Sequence, residues 1–173
     1  ARTGSLFAYQ QYNISPDIMT LGKGLGGGVP ISALLVSQAV SCFDYGDQGG
    51  TFNGNPLMCA VANAVLSEVL SPNFIPHIQE ISLYFQQALI NLSETFDLGE
   101  VRGKGLLLAL ESGRYSAPEI VHQARALGLL LNAPRENTLR FMPALTIDKT
   151  EIDKGVAMLH SIFSSLTAIA ARR

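Results

Sequence analysis

Thr20-Leu21-Gly22-Lys23-Gly24-Leu25-Gly26-Gly27-Gly28-Val29-Pro30 is the stretch on which the reading of this chain turns. The apolar run Ile18-Met19-Thr20-Leu21 leads into it, and a second apolar run, Ile31 to Val36, leads out. Short apolar runs bounded by glycine and proline predict strands joined by tight loops. A strand at 18–21, a loop at 22–28 and a second, buried strand at 31–36 are therefore expected. Lys23 stands where the first strand ends, between two glycines whose missing Cβ atoms let a flat ligand approach the backbone. A lysine in a partly desolvated pocket loses proton affinity and becomes a nucleophile toward a carbonyl. Read locally, an ordinary solvated lysine in a flexible loop fits as well. The segment is not a Walker A loop, because Gly24 follows Lys23 where that motif needs Ser or Thr.

Downstream, Gly49-Gly50-Thr51-Phe52-Asn53-Gly54-Asn55-Pro56 closes a polar, glycine-rich loop that begins near Tyr45. Asn55 can cap a helix and Pro56 suits its first position. Free N–H groups at that helix start, with the Thr51 hydroxyl, make a phosphate cradle one reading; a helix cap after an ordinary turn is the other. Leu57 to Leu70 is nearly all apolar or small, which predicts a deeply buried helix. Ser71-Pro72-Asn73 interrupts it. Ile78, Ile81, Phe85, Leu89 and Leu92 then recur at spacings of three and four, an amphipathic helix over 75–96.

From Gly99 the character changes. Val101-Arg102-Gly103-Lys104-Gly105 leads to an apolar strand at Leu106–Leu110, followed by a helix at Ala117–Leu127 and short strands at 129–131 and 138–142. Asp148 and Glu151 form a capping-box pattern for a last helix. Alternation of strand and helix predicts a small α/β domain, with a boundary near 71–98. Within it, Arg140 lies in the apolar setting Leu139-Arg140-Phe141-Met142-Pro143, where an unpaired guanidinium is costly. It needs an anionic partner: a substrate carboxylate matching its bidentate fork, or an internal Asp or Glu. Arg102, among glycines, reads as a structural residue at a turn. His77, His122 and His160 are widely separated on helical stretches and assemble neither a metal site nor a Ser-His-Asp set.

The quoted segments, taken in order, resemble the class III (subgroup II) aminotransferases. Residues 20–30 resemble their lysine segment, and Gly46-Asp47-Gln48-Gly49-Gly50-Thr51-Phe52-Asn53-Gly54-Asn55-Pro56-Leu57 their second phosphate-binding loop. Val101-Arg102-Gly103-Lys104-Gly105-Leu106 and Leu139-Arg140-Phe141-Met142-Pro143 follow in the family's order. Leu130-Leu131-Asn132-Ala133-Pro134 and Arg140 to Leu145 are most similar to the acetylornithine branch. Gln48 and Asn53 depart from the commoner His and Gly.

The resemblance covers essentially the whole chain, and it implies an α/β fold, the C-terminal part of the pyridoxal-phosphate (PLP) transferase fold type I. Residues 1–70 would be the end of the large PLP-binding domain, 71–98 a connecting helical region, and 99–173 the small C-terminal domain. It implies that Lys23 holds pyridoxal 5′-phosphate as a Schiff base and then moves the proton. Thr51 would bind the PLP phosphate of the neighbouring subunit in a homodimer with shared sites, and Arg140 a substrate carboxylate. The implied reaction is transfer of an amino group from N-acetylornithine to 2-oxoglutarate, in arginine biosynthesis. Ornithine, succinylornithine, succinyldiaminopimelate or 4-aminobutyrate are alternative donors. A non-catalytic fragment or assembly module that retains the fold is the alternative of another class. In relatives the acid facing the pyridine nitrogen, the ring-stacking aromatic residue and the first phosphate loop lie upstream of Ala1. The isolated chain is therefore expected to be inactive.

Composition bounds the rest. The 173 residues are 47% hydrophobic and 15% charged, which predicts packed cores rather than disorder, and surface that a partner or further chain covers. A formal net charge of −2, with the basic residues scattered, leaves no electrostatic reason to expect nucleic acid or an anionic membrane as partner. No apolar stretch reaches the ~18 residues of a membrane span. Two distant cysteines, Cys42 and Cys59, fit a reducing, cytoplasmic setting better than a zinc or disulfide framework. The start, Ala1-Arg2-Thr3-Gly4-Ser5, has no initiator Met or signal-peptide core and reads as a cut through a longer protein.

Overall fold

The computed structural model describes residues 1–170. They form two compact units, one of Leu6–Ile75 and one of Ala1–Ser5 together with the chain from Pro76 onward.

In the first unit, β1 (Ile18–Leu21) and β2 (Ala33–Val36) pair antiparallel, with Ile18 opposite Val36 and Leu21 opposite Ala33. Asp17 ties the open end: its backbone carbonyl accepts from Ser37 N at 2.8 Å and its carboxylate from the Ser37 hydroxyl at 3.1 Å. A short 3-10 turn, Lys23–Gly26, follows β1 directly. Helix α1 (Pro56–Val69) begins as its sequence predicts, with Pro56 at the first position and Asn55 as the cap.

Two expectations fail here. The second strand starts at Ala33 rather than Ile31, and Leu34, Leu35 and Val36 are exposed rather than buried. Of α1 only Ala62 is buried, and Leu57 is 66% exposed. An apolar run shows that a helix has no polar face. It does not supply the layer that covers it, and the described residues of this unit offer only a two-stranded sheet and short turns.

The second unit closes a core of its own. Helix α2 (Phe74–Phe96) buries Ile78, Ile81, Phe85, Leu89 and Leu92, the residues whose spacing predicts its inner face. A four-stranded antiparallel sheet has the order β3 (Val101–Lys104), β4 (Leu107–Glu111), β6 (Thr138–Phe141), β5 (Asn132–Arg135). Helices α3 (Ala117–Ala126) and α4 (Lys149–Ala170) complete it. Leu108 and Leu110 of β4 and Leu139 and Phe141 of β6 are buried at alternate positions of their strands, so one face of the sheet carries the core. Phe85 meets Phe141 edge-on at 5.5 Å, and Phe163 of α4 lies 5.6 Å from Phe96 and 5.5 Å from Tyr115. The Asp148 carboxylate accepts from Glu151 N at 2.8 Å while that of Glu151 accepts from Asp148 N at 3.1 Å, the capping box foreseen for α4.

Two strands sit elsewhere than expected. Val101–Lys104 is itself a strand, hairpinned to β4 with Arg102 opposite Ala109. Its Gly103 has φ of 134°, and a side chain there would run into the Leu107 carbonyl. The strand expected at 129–131 lies instead at Asn132–Arg135, on the sheet's edge and irregularly paired with β6. An edge tolerates Pro134, which lacks the ladder N–H.

Among the described residues no single helix is long and apolar enough to cross a membrane.

Candidate functional site

Lys23 follows Gly22, an extended residue, and starts the 3-10 turn in the left-handed region, with φ of 51°. The turn is held by Leu25 N to Gly22 O at 3.1 Å and Gly27 N to Gly24 O at 3.2 Å. Below it Gly26 is buried, and a Cβ there would stand 2.7 Å from Ile31 Cγ2. At Gly27, φ 59°, a Cβ would come within 3.0 Å of Val65 on α1. Glycines thus let the turn sit on its supports, yet the residue that bears the left-handed strain at the exit of β1 is a lysine. For a residue with a Cβ this costs roughly 1–2 kcal/mol, and such outliers concentrate where a side chain must be aimed. The Lys23 side chain is exposed, so the desolvated pocket expected around it is not formed by the described residues.

Thr51 lies in the turn before α1, also exposed. Gly50 O accepts from Asn53 N at 3.1 Å and Phe52 O from Asn55 N at 3.2 Å. Among the described residues none bonds the Thr51 hydroxyl. Of the two readings of this segment, the helix start itself shows the cap. Pro56 has no N–H, Asn55 Oδ1 accepts from Leu57 N at 3.0 Å and Met58 N at 3.3 Å, and Cys59 N donates to Asn55 O at 3.0 Å. The cap itself occupies those donors. The exposed Thr51 hydroxyl remains among the groups the loop offers an anion.

Arg140 belongs to the other unit, on β6 between Asn132 of β5 and Ala109 of β4. Its Nε is buried without a hydrogen-bond partner, and among the described residues no carboxylate stands within ion-pair distance of it. The internal Asp or Glu partner that would make Arg140 structural is therefore not supplied here. An orphaned guanidinium nitrogen is a costly arrangement unless an anion completes it. Arg140 borders a cavity of about 320 Å³ together with Leu131, Asn132, Met142 and Glu151.

Arg102 is a strand residue, ion-paired with Glu111 and 3.7 Å from Glu100. The Thr138 hydroxyl donates to both Glu111 oxygens at 3.1 and 3.0 Å. The sequence does not announce this cluster, because it depends on strand register. Lys23 and Thr51 thus share one unit, and Arg140 with the Arg102–Glu111–Thr138 cluster occupies the other.

Residues 1–163 match the family described as aminotransferase class-III. The chain is 53% identical over 167 residues to the acetylornithine aminotransferase of Ralstonia nicotianae, an alignment covering 95% of this chain and 42% of that protein. Among solved structures it is similar to an acetylornithine aminotransferase from Elizabethkingia anophelis, with a TM-score of 0.88 at 33% identity over 95% of this chain and 45% of that one. An ornithine aminotransferase from Toxoplasma gondii, crystallised with partial occupancy of PLP at its active site, gives a TM-score of 0.87 at 30% identity, over 96% of this chain and 41% of that one. The chain thus spans about 42% of the length of the curated relatives it matches.

Proposed function

Because the chain belongs to the class III aminotransferases, we propose that it carries the cofactor lysine and a substrate-carboxylate arginine of an enzyme that moves an amino group from N-acetylornithine to 2-oxoglutarate. The fold is that of the C-terminal part of the PLP fold type I transferases, whose class III members use pyridoxal 5′-phosphate. The observation that carries the proposal is Lys23, held in a left-handed conformation between Gly22 and Gly24 with its amine exposed.

The residues present fit the cofactor. Lys23 offers a primary amine to an aldehyde, and Thr51 a hydroxyl to a phosphate. When bound, the cofactor supplies an electron sink for the carbon that bears the transferred amine. Lys23 Nζ, freed once substrate has bound, would take the proton from that carbon and later return it, acting as base and then acid. Arg140 would hold a substrate carboxylate through its fork, fixing the reacting carbon relative to Nζ. Thr51 would serve the phosphate of a second subunit, in a homodimer working in the cytoplasm.

Residues 1–70 would be the end of the large domain, 71–98 the connector and 99–173 the small domain. The similarity to an ornithine aminotransferase keeps ornithine as the second donor to assay. The isolated chain would not turn over, because catalysis needs the cofactor ring and the substrate in one fixed geometry.

Borohydride reduction of the PLP-loaded full-length protein, followed by peptide mapping, tests the assignment. The pyridoxyl group is expected on Lys23. Finding it on Lys104, Lys149 or Lys154 with Lys23 unlabelled would sink the proposal.

A further inference from the structure

The sheet of the second unit has a face that the core does not use. Directly opposed residues of antiparallel strands share a face, and so do residues two apart along one strand. Arg102, Ala109, Arg140 and Asn132 therefore form one row across β3, β4, β6 and β5, and Glu111 and Thr138 stand beside each other in the next row. Two arginines flank Ala109, and one carboxylate, Glu111, lies diagonal to both. Diagonal cross-strand neighbours are about 7–8 Å apart, within reach of long side chains.

The carboxylate is held from both sides, but by only one of the two arginines. Arg102 pairs with Glu111, Thr138 donates to both of its oxygens, and among the described residues no carboxylate pairs with the Arg140 guanidinium. The Glu111 side chain is only 21% exposed, so it is poorly placed to satisfy itself with water. With Arg102 removed, the cation next in reach on the same face would be Arg140.

We propose that Arg102 is a positioning residue: by engaging Glu111 it keeps that carboxylate off Arg140, so that Arg140 stays available to the substrate carboxylate. The inference rests on the reading of Arg140 as the substrate-carboxylate residue. It assigns Glu111 as a built-in competitor for that arginine and Arg102, with Thr138, as its restraint. Charge alone sets the logic. A guanidinium already paired to an internal carboxylate binds a second anion weakly, and breaking such a pair must be subtracted from the affinity for substrate.

The test is 2-oxoglutarate binding to the full-length holoenzyme, by calorimetry, with steady-state KM and kcat alongside. Arg102→Gln is expected to raise Kd and KM about tenfold, the coupling usual for neighbouring charges, while kcat at saturating 2-oxoglutarate changes little. Adding Glu111→Gln removes the competing charge but keeps an acceptor for Thr138, and should bring Kd back to within about twofold of wild type. Thr138→Val loosens Glu111 from its other side. It should raise Kd by roughly threefold, again reversed by Glu111→Gln, and it carries the test if Arg102→Gln does not fold. Unchanged Kd in both single variants, or double variants as weak as the singles, would overturn the inference and leave Arg102 merely structural. Arg140→Ala separates the two levels. Should it leave 2-oxoglutarate binding intact, the reading of Arg140 fails; should it weaken binding while Arg102→Gln and Thr138→Val do not, only the restraint fails.

Discussion

Residues 6–75 and residues 76–170 are both rich in apolar side chains, yet they spend them differently. The later region buries aromatic and aliphatic side chains from both long helices and the sheet, with Ile78, Leu89, Leu110 and Phe163 fully enclosed. The earlier region buries Gly26 and Ala62, while Phe43, Phe52, Leu57 and Tyr45 face outward. Hydrophobic content alone therefore does not make a core; a second layer is needed to receive it. The chain spans about 42% of its curated relatives' length, and the region that carries Lys23 is the one without that layer.

The contrast can be broken most directly by truncating one apolar side chain in each region. Phe163→Ala, which empties a fully buried site on α4, should cost about 3–5 kcal/mol. Leu57→Ala on α1 should cost no more than about 0.5 kcal/mol in this chain, because the side chain is already exposed. Urea unfolding read by amide exchange of α4 and of α1 measures both. A large loss for Leu57→Ala would mean that something covers that helix in solution.

A smaller effect sharpens the comparison within the open region. Asn55 accepts from two helix-start N–H groups, so Asn55→Ala should destabilise α1 by about 1 kcal/mol, seen as faster exchange at Leu57 and Met58. With so little burial to hold α1, the cap is a large share of its local stability. No change would show that packing, not capping, sets this helix start.

The smallest effect belongs to the closed region's surface. Lys149 donates to Glu80 at 2.7 Å, and this hydrogen bond, with the lysine's charge, holds the Glu80 carboxyl below its ordinary range. A depressed folded-state value stabilises the protein above the unfolded value of roughly 4.3, and the contribution is lost as pH falls through the folded one. Both groups are exposed, so the gain is slight. Glu80→Gln should narrow its gap to wild type on acidification and in high salt. Curves that stay parallel from neutral to acid pH would assign the pair no role.

Legibility follows the same divide. Helix α2 could be read to its buried residues because its apolar positions repeat at helical spacing against a polar face, and its partners lie within the chain. Helix α1 and strand β2 could be read as elements but not as exposed ones, since an apolar run is silent about its cover. Hydrophobicity predicts the edge strand at Leu129–Leu131, whereas pairing selects Asn132–Arg135. In the site, a guanidinium in an apolar run singles out Arg140, and glycines single out Lys23. The tie between Arg102 and Glu111 is invisible until register places β3, β4 and β6 side by side.

The first residues of the chain lie with its later half. Leu106 N donates to Arg2 O at 2.9 Å, and the Arg2 guanidinium donates to Leu106 O at 3.2 Å and to Pro143 O at 2.6 Å, 141 positions away. Such a join gives the molecule a clock. Translation at about 5–20 residues per second separates the synthesis of Arg2 from that of Pro143 by roughly seven to thirty seconds. During that interval the shorter of the two guanidinium contacts, to Pro143 O, cannot form. Closing so long a loop adds little entropy beyond closing a moderate one, so the delay, rather than the join, is where a chaperone would have its opportunity.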